Sequence, residues 1–409
     1  MAGSQHLGTE HVEGSGVFPA DDCTEIASDV IAFAQARFDD PSLVDTLHDQ
    51  LGQGPFELVC MFVSPEADFQ ALVEAASCRF GGADVLACTT AGEVGRAGYE
   101  EDQVVAIAFR SQYCRVLTYA IDDLSQIDEQ SVADRLIEGR LSLAQDAPDW
   151  VSDFAFLMID GLSLREEQLT AFLSAGLGPT PLFGGSSGDG TNFGQTWLAR
   201  NGEILQNAAL VVLVRCDRPV RVFSLDHLVP SEDRMVVTSA SPDARVVHEI
   251  NAEPAALEYA RLLGLDPAQL DPFTFAEHPV VVRLGDTHHV RAIQQVKDNN
   301  DLVFFSAINE GMVLTLASHE DIVAHLDRGL NALGKHGKPE IILGCDCLLR
   351  RIEAGRGQRT HEMSRVLRDH NVVGFSTYGE QIGGLHVNQT LTGVAIYPPQ
   401  RNKATDVSD

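Results

Sequence analysis

The chain predicts a mixed α/β protein, with mixed sheets flanked by helices and built from repeated strand–helix–strand–corner–strand units. Three observations carry that prediction. Short apolar runs such as Phe56–Val63, Phe154–Ile159 and Glu340–Gly344 have the length and composition of buried strands. Longer amphipathic segments stand between them. Three of the units end in a small-residue corner that pairs two Ser/Thr with a nearby Gly and acid.

At 409 residues the chain exceeds one ordinary core. Residues 1–22, rich in Gly, Ser, Glu and His, read as a tail without periodicity. Cys23 to Ala36 reads as a first helix, with Ile26, Val30, Ile31 and Phe33 on its apolar face. Then come strand 56–63, helix 68–78 and strand 83–88, which runs into Thr89-Thr90-Ala91-Gly92-Glu93. Strands 103–109 and 113–120 read as a hairpin around Arg110-Ser111-Gln112.

The pattern recurs as helix 131–144, strand 154–159, helix 164–174 with Leu164, Leu169 and Phe172-Leu173 toward the core, and strand 181–183. That strand ends in Ser186-Ser187-Gly188-Asp189, and strands 197–200, 208–214 and 220–224 follow. It recurs again as strand 340–344, helix 358–369, Val372-Val373, the corner Ser376-Thr377-Tyr378-Gly379-Glu380 and strand 390–397. Thr90 and Ser187 lie roughly 100 positions apart, and Ser187 and Thr377 roughly twice that, which points to duplicated units. Residues 226–338 are patterned differently, with strands at 235–239, 280–284, 290–295, 303–307 and 313–317, and helices at 255–263 and 321–333. The expected boundary falls between 23–225 and 226–398, with 399–409 a second tail.

The formal charge of −30 disfavours nucleic acid and anionic membranes as partners. No run is long and apolar enough to span a bilayer, and the N-terminus lacks the pattern of a secretory signal. The eight scattered cysteines read as reduced thiols, and the expected location is cytoplasmic.

A polar corner between strands brings amides and hydroxyls to a ligand. Thr89, Thr90, Glu93, Ser186, Ser187, Asp189, Ser376, Thr377 and Glu380 are therefore candidate ligand-binding residues. Glu93, Asp189, Glu380 and Glu310 have no His or Lys at a fixed offset and read as acceptors for turn amides or neighbouring hydroxyls. The Gly184–Gly190 loop lacks the endings of a P-loop, a dinucleotide turn or a nucleophile elbow. Cys345 and Cys347 share one face of a strand, where they would contribute to a zinc or iron–sulfur redox switch or stand as small strand-end residues. An enzyme using Cys347 or Ser187 is an alternative class; the reading adopted is that the chain is not an enzyme.

The corners, the tract from Val236-Val237-Thr238 to Glu249-Ile250-Asn251-Ala252-Glu253-Pro254-Ala255, and Val290-Arg291 occur in order with Ile308-Asn309-Glu310-Gly311, Cys347-Leu348-Leu349-Arg350 and His386-Val387-Asn388-Gln389-Thr390. In this the chain resembles the FIST sensory proteins, with an N-terminal and a C-terminal half. Gly344 to Arg351 and His386 to Tyr397 are similar to the nitric-oxide-sensing subgroup. That resemblance implies haem b, nitric oxide as ligand, and a histidine kinase or cyclic-di-GMP enzyme as partner; it leaves self-association open. Other members imply a haem-free sensor of a small polar metabolite such as an amino acid, with Arg291 among its ligand-binding residues. No Cys-x-x-Cys-His exists, so a haem would be held by an axial side chain. The candidates are His227, in an apolar setting near the domain junction, His278 before a buried strand, and His386 between the last corner and the last strand. His288 and His289 are adjacent and face opposite sides of a strand.

Overall fold

A computed structural model describes residues 28–284, 287–335 and 337–399. The tail readings for 1–22 and for most of 399–409 lie outside the described residues.

Three sheets of six strands each share one plan. In the first unit an edge strand Ile31–Arg37 leads through helix Leu43–Leu51 to Phe56–Val63, and helix Phe69–Arg79 leads to the parallel neighbour Asp84–Thr89. A short hairpin follows, Glu93–Gly95 and Gly98–Glu100, and strand Gln103–Arg110 returns between the edge strand and Phe56–Val63. The second unit repeats this order from Cys114–Ile121 to Ala209–Cys216, and the third from Val220–Asp226 to Thr390–Ile396.

None of the three hairpins stays in its own sheet. Glu93–Gly95 pairs with Val372–Thr377 of the third unit. Leu198–Arg200, from the second unit, pairs with Asp84–Thr89 of the first. Glu380–Ile382, from the third, pairs with Leu182–Ser186 of the second. The exchange is cyclic and closes on itself.

The inner faces of the three sheets meet in one core that includes Phe62, Phe156 and Phe375. Phe62 stacks on Phe375 with ring centroids 4.5 Å apart and meets Phe156 edge-on at 6.4 Å. Outer faces are covered by helices in separate clusters, as with Leu47, Leu72 and Val73 on the first sheet. An eight-stranded sheet is inserted into the third unit between Leu228 and His319, with its own core around Tyr259, Phe275 and Phe304. The insertion accounts for the doubled spacing before the last corner.

The predicted mixed α/β architecture is found. Three details are corrected. Residues 31–37 form a strand where a helix is expected, and the predicted segment before Ser28 lies outside the described residues. Ile31 and Phe33 enter the central core while Ala32, Ala34 and Ala36 enter the outer one. A strand buried on both faces is apolar throughout, so its period of two is hidden. Gln103–Arg110 and Cys114–Ile121 do not pair with each other; they belong to the first and second sheets, and the turn between them marks the unit boundary. Leu164 is exposed ahead of helix Glu166–Leu177, whose Leu169 and Leu173 are buried as expected.

Candidate functional site

The three corners interlock where the sheets exchange hairpins. Ala91 N–H donates to the Ser376 carbonyl at 2.9 Å, and Ser376 N–H donates to the Gly92 carbonyl at 2.7 Å. Gly188 N–H reaches the Thr89 carbonyl at 3.1 Å, and Ser186 N–H the Gly379 carbonyl at 2.8 Å. The acids do what their setting predicts. Glu93 accepts from the Thr90 hydroxyl at 2.6 Å and from Gln103 N–H at 3.3 Å. Glu380 accepts from the Thr377 hydroxyl, from Thr390 N–H at 3.2 Å and from the Thr390 hydroxyl at 2.7 Å. Glu310 accepts from Ala240 N–H at 3.3 Å.

The middle corner differs. The residue paired opposite strand 84–89, where Glu93 and Glu380 stand in the other two sheets, is Leu198. Asp189 sits in the longer loop, accepts from Gly194 and Gln195 N–H at 2.8 Å each, and receives the Tyr378 hydroxyl. Ser186 Oγ accepts from Gln381 at 3.0 Å, and Ser187 Oγ from Gly161 N–H at 3.3 Å. Burial pushes Glu93 up to about 7 and Glu380 to about 8. Thr89, Thr90, Glu93, Ser186, Ser187, Asp189, Ser376, Thr377 and Glu380 thus lie together, buried, with most of their polar atoms bonded to one another's units.

Beside the third corner the polar groups are not paired. Gly379 has no side chain, and a Cβ there would fall 2.3 Å from Cε1 of His386. That close approach seats the His386 ring, whose Nδ1 lies 3.3 Å from Gln381 Nε2. His386 Nε2, both side-chain polar atoms of Asn388, Gln381 Oε1, Ser306 Oγ, and the Nε atoms of Arg245 and Arg291 are buried without a hydrogen-bond partner among the described residues. Burial lowers the His386 pKa, and the charges of Glu167, Glu166, Arg245 and Arg291 all act on the ring. Arg245 is compensated, lying 2.5 Å from Glu166 and 2.6 Å from Glu167. Arg291 is not: its guanidinium donates to the Val290 carbonyl at 2.9 Å. Burial works against its charge, and the Glu167 carboxylate offsets this only in part. Sequence reasoning found Arg291 and His386 separately and missed Arg245, Gln381 and Asn388 beside them. The signal was present for two of them, since Asn388 and Gln381 flank His386 in the last hairpin.

A cleft of about 520 Å³ opens at the first corner, lined by Glu93, Gly190, Phe273, Arg351 and Arg356 among others. Its Arg351 is already engaged, donating to the Glu100 carbonyl at 2.6 Å and the Glu93 carbonyl at 3.2 Å.

His227 is 1% exposed and both its ring nitrogens are engaged. Nδ1 faces Arg350 at 3.1 Å, and Nε2 faces Glu353 at 2.9 Å and His319 at 3.0 Å. Burial opposes the Glu353 charge, yet hydrogen bonds from His227 and His319 outweigh it and hold that carboxyl down at about 2. A haem needs an apolar slot and a free axial nitrogen. His227 is enclosed by Arg350, Glu353 and His319, and His386 lies among charged groups, so neither has the apolar slot that a haem requires. His278 is half-buried at a helix end, and its carbonyl accepts from the Tyr259 hydroxyl. Cys345 and Cys347 are buried thiols whose pKa values burial raises. Among the described residues no further Cys, His, Asp or Glu groups with them in a ligand cluster. No helix of the described residues is long and apolar enough to cross a membrane.

Comparison with known proteins identifies two domains. Residues 57–253 match the FIST N domain and residues 255–383 the FIST C domain. No curated protein matches the chain. FIST domains are sensory domains of signal transduction rather than catalytic ones. With both domains present in order over most of its length, the chain belongs to the FIST family of sensor proteins.

Proposed function

We propose that the chain senses a small carboxylate-bearing metabolite, seated between Arg291 of the inserted sheet and His386 and Asn388 of the last hairpin. The observation that carries this is Arg291. A guanidinium stays charged at any physiological pH. Buried without a carboxylate partner, it costs several kcal/mol. A carboxylate ligand would supply paired N–H···O bonds to it, and Asn388 and His386 offer donors and acceptors for the rest of the molecule. Binding would draw the inserted sheet toward the body, a change that a partner histidine kinase or cyclic-di-GMP enzyme could read. The seat is favoured over the cleft at the first corner because its polar groups lack partners while Arg351 of the cleft has them.

Calorimetry and thermal-shift assays with a panel of free amino acids and dicarboxylates test the reading. One or more should raise the melting temperature. Arg291→Gln should weaken that ligand about 10- to 100-fold, the worth of one charge-assisted contact. A panel without effect, or unchanged binding by Arg291→Gln, refutes the seat. Haem reconstitution belongs in the same experiment. A stoichiometric Soret band that shifts with nitric oxide would put haem in the metabolite's place.

A further inference from the structure

We propose that His227, His319 and Glu353 form a mononuclear site for a divalent transition metal, zinc above all, at the neck of the inserted sheet. Their ligand atoms converge. His227 Nε2 lies 2.9 Å from Glu353 Oε2. His319 Nδ1 lies 3.1 Å from the same oxygen. The two nitrogens are 3.0 Å apart. All three groups fall within one ligand sphere.

Hydrogen bonding accounts for two edges of this triangle and not the third. If both rings donate to Glu353, the two N–H groups are left side by side. A metal at the centre accounts for all three edges. Donors held about 2.0–2.2 Å from zinc at tetrahedral angles stand about 3.3 Å apart. The observed triangle needs to open by only a few tenths of an ångström. Two imidazoles and one carboxylate are a common zinc ligand set, with a fourth position for water or a further group.

The placement gives the site a task. The chain enters the insertion immediately after His227 and leaves it at His319, and Leu228 pairs with His319 in the ladder. Glu353 comes from helix Leu348–Arg356 of the main body. A metal here ties both strands of the neck to that helix. It also resets a tautomer. Arg350 donates to His227 Nδ1, which places the ring proton on Nε2. Metal binding at Nε2 moves that proton to Nδ1, so Arg350 gives up this contact and keeps Asp346, 2.7 Å away.

The test uses the full chain, stripped with chelator and titrated with zinc under competition, and with cobalt as a spectroscopic probe. The expected result is one metal per chain and a tetrahedral cobalt spectrum without a thiolate charge-transfer band. His319→Ala and Glu353→Gln remove half-buried ligands and should leave the fold intact by circular dichroism. Second-sphere changes alone cost about 10- to 100-fold in metal affinity, so each loss of a direct ligand should cost at least about 100-fold. The proposal is overturned if folded wild-type chain takes up no stoichiometric metal. It is equally overturned if both variants bind as the wild type does, or if the cobalt spectrum reports thiolate ligands. This site and the carboxylate seat share no residue, so either can fail alone.

Discussion

Replacing Glu380 by Gln should remove the fall in stability that this buried acid is expected to impose as pH rises. Glu380 is fully buried, and burial lifts its pKa from 4.5 to about 8, with the Asp346 charge adding to the rise and Thr377 and Thr390 opposing it. The sign follows from linkage. Between the unfolded and folded values the native state holds a proton that the unfolded chain has lost, so stability is complete below pH 4.5 and declines until pH 8. From pH 5.5 to 8.5 the decline spans about 2.5 units at about 1.4 kcal/mol each, or roughly 3.5 kcal/mol. With an unfolding entropy of about 2.1 cal/mol/K per residue over about 370 residues, that is roughly 4 °C in melting temperature. Gln has the right shape to replace the neutral acid. Its amide can donate to Thr377 Oγ1, and its carbonyl can accept from Thr390. Differential scanning calorimetry at pH 5.5, 7 and 8.5 should show the variant losing about 4 °C less than wild type across the range, on the same basis. The chain's excess negative charge acts on both proteins and cancels in the comparison. Parallel declines in wild type and Glu380→Gln would refute the reasoning.

Three further outcomes follow from the same structure. Arg291→Met removes a buried charge that Glu167 offsets only in part, so without ligand the variant should be more stable by about 1–4 kcal/mol in urea titration while losing the proposed carboxylate binding. Phe375→Ala and Phe62→Ala should each cost about 3–5 kcal/mol, because each empties a fully buried ring site at the meeting of the sheets. The double variant should fall short of the sum by about 0.5–1.5 kcal/mol, the worth of the shared stack, in a double-mutant cycle by calorimetry. A fragment ending at Asp226 leaves hairpin 93–100 without strand Val372–Thr377, and should show exchange of its central amides on a scale of seconds to minutes where the full chain protects them.

Most strands were legible because their residues are continuously apolar over strand lengths, and helix Ala255–Leu263 falls where its pattern puts it. The corners were legible as repeated chemistry. Partnership was not. Hairpin Glu93–Glu100 says nothing locally about a sheet nearly 280 residues away, and the pairing depends on non-local geometry. The short helices Leu43–Leu51 and Leu348–Arg356 escaped because the first is one of two turns beside a loop and the second has alternating charges that blur its apolar face. Arg291 and His386 could be named singly. Their convergence with Arg245 needed the insertion folded against the last hairpin. His227 was found through its place at a junction, but His319 and Glu353 lie 92 and 126 positions away, beyond any spacing rule.

The cyclic exchange also explains why the two polar seats lie where they do. Each sheet completes itself with a neighbour's hairpin, so the three corners are joined through paired backbone bonds. The third unit alone carries an insertion, and so it alone has a second sheet packed against the ring. The proposed carboxylate seat would span that surface at the last hairpin, and the histidine pair spans it at the neck. A ligand that pulls Arg291 toward His386 pulls on the hairpin Glu380–Val387, whose first residue is the buried acid of the third corner. The second unit has Leu198 at the equivalent position and can offer no such lever. Three units of one plan therefore form the ring, and the insertion of the third alone supplies the surface on which the proposed ligand would act.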